Sequence, residues 1–285
     1  MSEDKDKPKS NAGAVHKAAM NPRQQKARRR FLRSVGLAVG MAGISLMGFV
    51  PVLQSHQSRM RLRPPGALGE HEFLASCIKC GQCVQVCPVE AIKLSDFLDG
   101  FGSGTPYLDA RTQACDFSCD GLQCVLACPT GSLTHEMSYP AQTRMGFARL
   151  DKPKLCLARK GLGFEGKVRT PEFDGLFRYT EIDRWNPIPV RDRDFDLEIC
   201  DLCVRHCPIE IRRQQCAEGN PPSGDPNQCP PLPAISLEPL PSGDGKMRMT
   251  PVIHKGCVGC GACEMVCPTE PASIVIDIDK TADMV

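Results

Sequence analysis

Cysteine spacing is the feature that most restricts how this chain can fold. Eighteen of its 285 residues are cysteines, and sixteen of them form four runs that each end in Cys-Pro. In chain order the runs are Cys77-x2-Cys80-x2-Cys83-x3-Cys87; Cys115-x3-Cys119-x4-Cys124-x3-Cys128; Cys156 with, after 43 residues, Cys200-x2-Cys203-x3-Cys207; and Cys257-x2-Cys260-x2-Cys263-x3-Cys267. The repeated ending indicates four copies of one unit.

The first and fourth runs have the spacing that bacterial ferredoxins use to bind a [4Fe–4S] cluster. Three thiolates on a tight loop can reach three irons of one cluster, and Gly81 and Gly261 let the loop turn closely. The fourth cysteine is expected to open a short helix and to bind a neighbouring cluster. The second and third runs are diverged copies, so the sixteen cysteines predict four [4Fe–4S] clusters. Which runs pair is left open.

Two other uses of cysteine fit the four runs poorly. A disulfide scaffold predicts scattered cysteines, and a structural zinc site uses two separated Cys-x-x-Cys pairs. The remaining two cysteines, Cys216 and Cys229, flank a loop rich in Pro, Gly and Asn and match no cluster spacing. A disulfide and two unpaired thiols are both open for this pair.

The net charge of +2 is divided unevenly along the chain. Residues 1–33 hold ten basic and three acidic side chains, which leaves 25 basic and 30 acidic in the remainder. Arg28 and Arg29, followed by an uncharged stretch over residues 34–53, resemble a twin-arginine export signal. The signal predicts a protein exported already folded to the periplasm. Residues 50–65 show no clear Ala-x-Ala cleavage site, so for residues 1–58 a cleaved export signal and an N-terminal membrane anchor are both open.

Residues 59–285 are expected to form the cluster-binding body. Short apolar segments follow the runs at 91–94, 132–133, 234–237 and 273–276, and they predict short strands after short helices. This pattern favours an α+β fold in which two ferredoxin-like, two-cluster units pack as one body. Inserts at about 161–199 and 213–233 are expected to be surface loops. The first of them is either a solvated excursion or a docking segment.

Two single residues carry weaker expectations. His206 lies between Cys203 and Cys207 and is expected to fill space in a loop. Trp185, the only tryptophan, is expected to be a local packing residue.

The motifs favour an electron-transfer protein over an enzyme. The sequence has no nucleophile–base pair, phosphate loop or nicotinamide fingerprint, and its charge suggests no nucleic-acid partner. Two alternatives remain. An enzyme with an open iron would need a run that lacks a ligand, which the split third run with Cys156 could supply. The other alternative is an exported binding module braced by disulfides.

Three linker segments add a resemblance to a known family. The segments 61–67, 103–107 and 144–146, in order with the export signal and the runs, resemble MauM/NapG-type periplasmic ferredoxins over residues 25–157 and 200–280. The resemblance implies that the sixteen cysteines bind four clusters. It also implies a relay from a membrane quinol-oxidising partner toward a periplasmic reductase, first nitrate reductase and alternatively a methylamine-type system. The split third run and the loop with Cys216 and Cys229 depart from the family pattern.

Overall fold

The computed structural model describes residues 22–54, 60–96, 102–119, 121–169, 173, 175–177, 188–241 and 247–284. The chain divides into two compact units, residues 1–54 and 55–285. Trp185 lies outside the described residues, so its expected packing role stays a prediction.

The described part of the first unit is one helix, α1 (Pro22–Gln54). Pro22 occupies its first position, where the missing N–H costs nothing, and Ala, Arg and Gln dominate its first turns. Arg28 and Arg29 lie on this helix and are exposed. Among the described residues, no helix combines enough length with enough apolar character to span a bilayer.

The second unit combines short helices with short strands, which confirms the α+β class. Its helices in the described ranges are α2 (Glu70–Ser76), α3 (Gln82–Gln85), α4 (Gln123–Leu126), α5 (Leu157–Lys160), α6 (Leu202–Arg205), α7 (Pro208–Ala217) and α8 (Ala262–Met265). Its strands are β1 (Ile92–Leu94), β2 (Pro106–Leu108), β3 (Phe147–Leu150), β4 (Phe164–Lys167), β5 (Leu176–Phe177), β6 (Ile188–Pro189), β7 (Asp194–Leu197), β8 (Ile235–Pro239), β9 (Met249–Ile253) and β10 (Ile274–Asp277).

All described strands pair antiparallel in two-stranded sheets: β1 with β2, β3 with β10, β4 with β7, β5 with β6, and β8 with β9. Strands β1, β8 and β10 follow the first, third and fourth runs, as the apolar segments predicted. After the second run, Leu133 forms only an isolated bridge with Ala67. A two-stranded sheet is only marginally stable by itself, so the stability of these sheets depends on the groups that pack between them.

The described part of the insert at 161–199 packs into the body, which differs from the solvated excursion that the sequence analysis gave as one of two possibilities. Its described part contains β4 to β7 and buries an apolar set: Val168, Phe173, Phe177, Val190 and Phe195. The Gln113 side chain fastens the insert to the second run, because its Oε1 accepts from Leu176 N (2.7 Å) and its Nε2 donates to Leu176 O (3.0 Å). The insert packs in this way because its charged residues alternate with apolar ones that have a core to enter.

The segment 61–67 is an internal brace. The guanidinium of Arg63 is largely buried, donating to both carboxylate oxygens of Glu70 (2.8 and 2.5 Å), to Thr105 Oγ1 (3.0 Å) and to Pro106 O (2.8 Å). It also lies 4.9 Å from the centre of the Phe73 ring, which is fully buried. A buried charge needs such complete pairing, so this segment is fixed to α2 and β2.

Candidate iron-sulfur cluster sites

Glycines in the left-handed region open the cysteine loops, as the sequence predicted. Gly81 (φ 75°) precedes α3 and Gly261 (φ 89°) precedes α8, so the third cysteine of each run lies on a short helix. The fourth cysteine was expected to open a helix, and this is wrong for the first, second and fourth runs, where it follows the helix end. Only Cys207 does so, as the N-cap of α7. Three residues separate the last two cysteines, which is about one helical turn, so the short helix that carries the third cysteine ends before the fourth.

The first three cysteines of the first run share a cavity with the last cysteine of the second. Cys77, Cys80, Cys83 and Cys128, here called set A, line a cavity of about 360 Å³. Burial raises the pKa of Cys83 to about 11, and repulsion from Cys77, Cys80 and, more weakly, Cys128 adds to the shift. The two runs therefore exchange their fourth cysteines.

The reverse exchange forms set B, which contains Cys87, Cys115, Cys119 and Cys124. Burial raises the pKa of Cys115 well above its ordinary value, and repulsion from Cys119, Cys124 and Cys87 raises it further. Burial and repulsion from Cys119 and Cys87 likewise raise the pKa of Cys124. Cys87 thus lies with the thiols of the second run.

The third run completes its set with the last cysteine of the fourth. Cys156, Cys200, Cys203 and Cys267, here called set C, line a cavity of about 380 Å³. Burial raises the pKa of Cys200 to about 12, with repulsion from Cys156 and Cys267. Although 43 residues separate Cys156 from Cys200, the folded insert returns the chain so that Cys200 N donates to Leu162 O (3.1 Å).

Set D consists of Cys207, Cys257, Cys260 and Cys263, which line a cavity of about 340 Å³. Apart from the sulfurs, aliphatic side chains and glycines line this cavity. All four cysteines are buried, whereas Cys80 of set A is exposed. Adjacent runs along the chain therefore pair, first with second and third with fourth.

The donor chemistry of the four sets fits a [4Fe–4S] cluster. Four soft sulfur ligands in a small, mostly apolar cavity are what such a cluster requires. Within the described ranges, no group of three or more His, Cys, Asp or Glu side chains lies close enough to hold a single metal ion. Because a cubane takes one thiolate on each of its irons, its ligands are spaced more widely than those of one zinc ion.

Hydrogen bonds to sulfur reveal residues that the sequence analysis missed. Cys128 Sγ accepts from Leu133 N (3.5 Å), and Cys267 Sγ accepts from Ser273 N (3.3 Å). Burial acts to raise the pKa of Cys128, but hydrogen bonds from the backbone of Leu133 and from Thr130 hold it below its ordinary value. Such donors stabilise negative charge on a ligand sulfur.

Two hydroxyl pairs recur at these sulfurs. Thr130 Oγ1 lies 3.8 Å from Cys128 Sγ and 2.7 Å from Ser132 Oγ, and Thr269 Oγ1 lies 3.2 Å from Cys267 Sγ and 2.7 Å from Ser273 Oγ. The signal in the sequence is the repeated Cys-Pro-Thr followed by a serine.

His206 lies buried in the turn after α6 and fills space there, as the sequence analysis expected. Its ring centre lies 5.3 Å from those of Phe177 and Phe195, and Nδ1 lies 3.1 Å from Leu202 O. Burial lowers its pKa to about 4, so the ring is neutral at pH 7. It connects the insert to the segment of α6 and α7 that carries Cys203 and Cys207.

The two pairs of runs meet at a direct contact between sets B and D. Cys115 N donates to Cys260 O (3.1 Å), and Ala114 N lies 3.2 Å from Met265 Sδ. Arg111 reinforces this junction, since its guanidinium donates to Glu264 O (2.7 Å), Cys267 O (2.8 Å), Thr269 O (2.8 Å) and Glu270 Oε2 (2.6 Å). The fourth run is therefore held against the second.

The two remaining cysteines belong to none of the four sets. Cys216, on α7, and Cys229 form a disulfide across 13 residues. Most residues between them are exposed, so this part of the second insert is a braced surface loop.

Comparison with known proteins agrees with the cysteine patterns. A 4Fe-4S dicluster domain matches residues 76–132, which span the first two runs, and a 4Fe-4S binding domain matches residues 257–270. No solved structure matches the chain.

Full-length relatives establish the family. The ferredoxin-type protein NapG of Escherichia coli (strain K12) is 33% identical over 88% of this chain and 86% of its own length. The methylamine utilization ferredoxin-type protein MauM of Paracoccus denitrificans (strain Pd 1222) is 33% identical over 90% of each chain, and MauM of Methylophilus methylotrophus is 32% identical over 87% of this chain and 84% of its own. The chain belongs to the NapG/MauM family of iron–sulfur ferredoxin-type proteins.

Proposed function

We propose that this protein is a periplasmic electron carrier with four [4Fe–4S] clusters that relays electrons from a membrane quinol-oxidising partner toward a periplasmic reductase. The single observation that carries the proposal is the exchange of fourth cysteines between adjacent runs, which assembles sixteen thiols into four complete sets. When bound, each cluster supplies a site that gains or loses one electron. The polypeptide holds the sets, shields them from water and donates hydrogen bonds to their sulfurs.

The contacts between sets support a single continuous order. Sets A and B share the first two runs, sets C and D share the last two, and the hydrogen bond between Cys115 and Cys260 joins B to D. The order is therefore A, B, D, C. We propose that the two pairs are ferredoxin-like two-cluster units packed as one body, with sets A and C at the two ends where partners exchange electrons.

The position of Cys156 bears on the alternative of an enzyme with an open iron. That alternative needs a set with three thiols, and Cys156 lies in the same cavity as the three other cysteines of set C. The arrangement therefore favours a complete set and an electron carrier without its own substrate site. A binding module braced by disulfides would not explain why the sixteen other thiols lie together in four sets.

Two features support export in the folded state. Arg28 and Arg29 precede an uncharged stretch, and the exposed loop with the Cys216–Cys229 disulfide suits an oxidising compartment. Cleavage of the leader or its retention as an anchor is decided by N-terminal sequencing of the exported protein.

The test is anaerobic purification of the full chain, followed by iron and acid-labile sulfide analysis. We expect about sixteen of each per chain, because each cluster holds four irons and four sulfides. Near-zero iron with oxidised cysteines would instead establish the binding module. Loss of iron on Cys156→Ala, from about sixteen to about twelve, tests the fourth ligand of set C, and unchanged iron would restore the open-iron alternative.

The terminal acceptor has two candidates. The family resemblance implies a nitrate reductase, whereas the MauM relative, a methylamine utilization ferredoxin-type protein with the same 33% identity as NapG, favours a methylamine-utilization system. The reduced protein is mixed with a purified periplasmic nitrate reductase and, separately, with the electron-transfer proteins of methylamine oxidation. Its reoxidation rate with each decides between them.

A further inference from the structure

Positive charge is concentrated around one cysteine of an otherwise acidic body. Residues 34–285 hold 25 basic and 30 acidic side chains, yet residues 149–160 hold five basic and one acidic. Arg149 is engaged with Asp151 (2.8 Å) and Asp277 (3.6 Å). The other four, here called the basic patch, are Lys152, whose Nζ lies 4.0 Å from Asp151 Oδ2, and Lys154, Arg159 and Lys160.

The basic patch faces solvent around an apolar centre. Lys154 and Lys160 are exposed, and the half-buried Arg159 donates from Nη1 to Thr250 Oγ1 (3.0 Å). Leu162 is 50% exposed and Met247 is 70% exposed. The backbone of Met247 abuts Gly161, since a Cβ added there would lie 2.8 Å from Met247 O, so both apolar side chains adjoin the end of α5.

The basic patch lies over set C. Cys156 is the N-cap of α5 and stands between Lys154 and Arg159 in the chain. Cys156 and Cys203 are partly exposed, whereas Cys200 and Cys267 of the same set are buried. Cys156 therefore gives set C a route to the surface among the lysines of the patch.

We propose that the basic patch is the docking surface for a redox protein that presents acidic side chains around its own redox centre. The inference rests on the proposed function, and it assigns the set C end of the body to that partner. Complementary charge speeds encounter and orients it, while the acidic remainder of the body repels the same partner elsewhere. Each encounter transfers one electron, which the donor loses and the acceptor gains, with no change in covalent bonds.

The first test compares two small oxidants on the reduced holoprotein at low ionic strength. Anionic hexacyanoferrate(III) and cationic hexaammineruthenium(III) each accept one electron, and stopped-flow absorbance gives the rates. We expect the double variant K154Q/K160Q to slow the anionic oxidant by about threefold or more, because steering depends on local charge. The cationic oxidant should not slow, and the difference should vanish at high salt.

The matched control is K93Q/K167Q, which removes the same charge from β1 and β4. Poly-L-glutamate, a probe for an acidic surface, should inhibit the hexacyanoferrate reaction of the unmodified protein and of this control but not of K154Q/K160Q. Equal rates in the two variants, or equal inhibition, would overturn the docking surface. Iron content is measured first. Absent iron in the unmodified protein refutes the proposed function, whereas full iron with equal rates refutes only the docking surface.

Discussion

The sharpest prediction concerns two glycines at equivalent positions, Gly81 in the first run and Gly261 in the fourth. Both have positive φ, at 75° and 89°, so alanine at either site adopts an unfavourable backbone conformation that costs about 1–2 kcal/mol. Their surroundings differ. A Cβ at residue 81 would have nothing within 4 Å, but at residue 261 it would lie 2.6 Å from the Cβ of Ala110.

The difference in stability between Gly81→Ala and Gly261→Ala measures the packing between the two halves of the body, one formed by the first two runs and the other by the last two. Gly81→Ala should destabilise the protein by about 1–2 kcal/mol from backbone strain alone. Gly261→Ala adds overpacking against Ala110, typically about 1–3 kcal/mol, for about 2–5 kcal/mol in total. Ala110→Gly in the Gly261→Ala background should recover most of the extra loss, because it removes the colliding methyl group.

The assay is anaerobic guanidinium unfolding of the cluster-loaded protein, followed by cluster absorbance and circular dichroism. Midpoints are compared directly, since cofactor loss departs from two-state behaviour. In the double-mutant cycle between residues 110 and 261 the shifts of the midpoint should not add, because Ala110→Gly raises the midpoint of Gly261→Ala. If Gly81→Ala lowers the midpoint as much as Gly261→Ala, or if Ala110→Gly restores nothing, the contact between these halves is wrong.

Three further experiments test other contacts. Cys128→Ala and Cys77→Ala should abolish the same electron paramagnetic resonance signal, because both residues belong to set A. Each variant should also lower the iron content from about sixteen to about twelve per chain. Loss of different signals would contradict the exchange of cysteines between the runs. Arg111→Gln should lower stability by about 3 kcal/mol through loss of charged hydrogen bonds, read from the unfolding midpoint, and a neutral effect would refute its role as a clamp. Replacing Cys216 and Cys229 with serine should lower the free energy of unfolding by about 3 kcal/mol, the value expected when a disulfide closes a loop of this length. The iron content should not change. A fall in iron content would place the two cysteines near a cluster.

The sequence was sufficient for the parts of the site that depend on local spacing. The Cys-x2-Cys-x2-Cys loop needs a left-handed turn and a short helix, and both follow from neighbouring residues such as Gly81 and Gly261. Strands β1, β8 and β10 were likewise predictable, because a short apolar segment follows each of these runs, directly for β1 and β10 and after the second insert for β8. Local backbone preference and burial agree at these positions.

Pairing between runs could not be obtained this way, because it depends on contacts between distant segments. The spacing predicts that Cys128 binds a neighbouring cluster, but nothing near Cys128 indicates that this is the cluster of the first run rather than that of the third or fourth. The structure of the insert at 161–199 could not be predicted from the sequence for a related reason. Its charged residues suggested solvent exposure, but Phe177 and Phe195 are buried against His206, which lies outside the insert. Whether a side chain is buried depends on the surface that packs against it, and a local sequence pattern does not show which distant segment provides that surface.

The small size of the secondary-structure elements explains why fold and site cannot be separated in this protein. Two-stranded ribbons and four-residue helices are each too short to persist alone. Each run also gives its last cysteine to its neighbour, so a bound cluster would tie two distant segments together as a disulfide or a structural metal does. Binding energy at the cysteine sets would then be folding energy. The carrier would have to be complete before it meets a partner, as an export route for folded proteins requires.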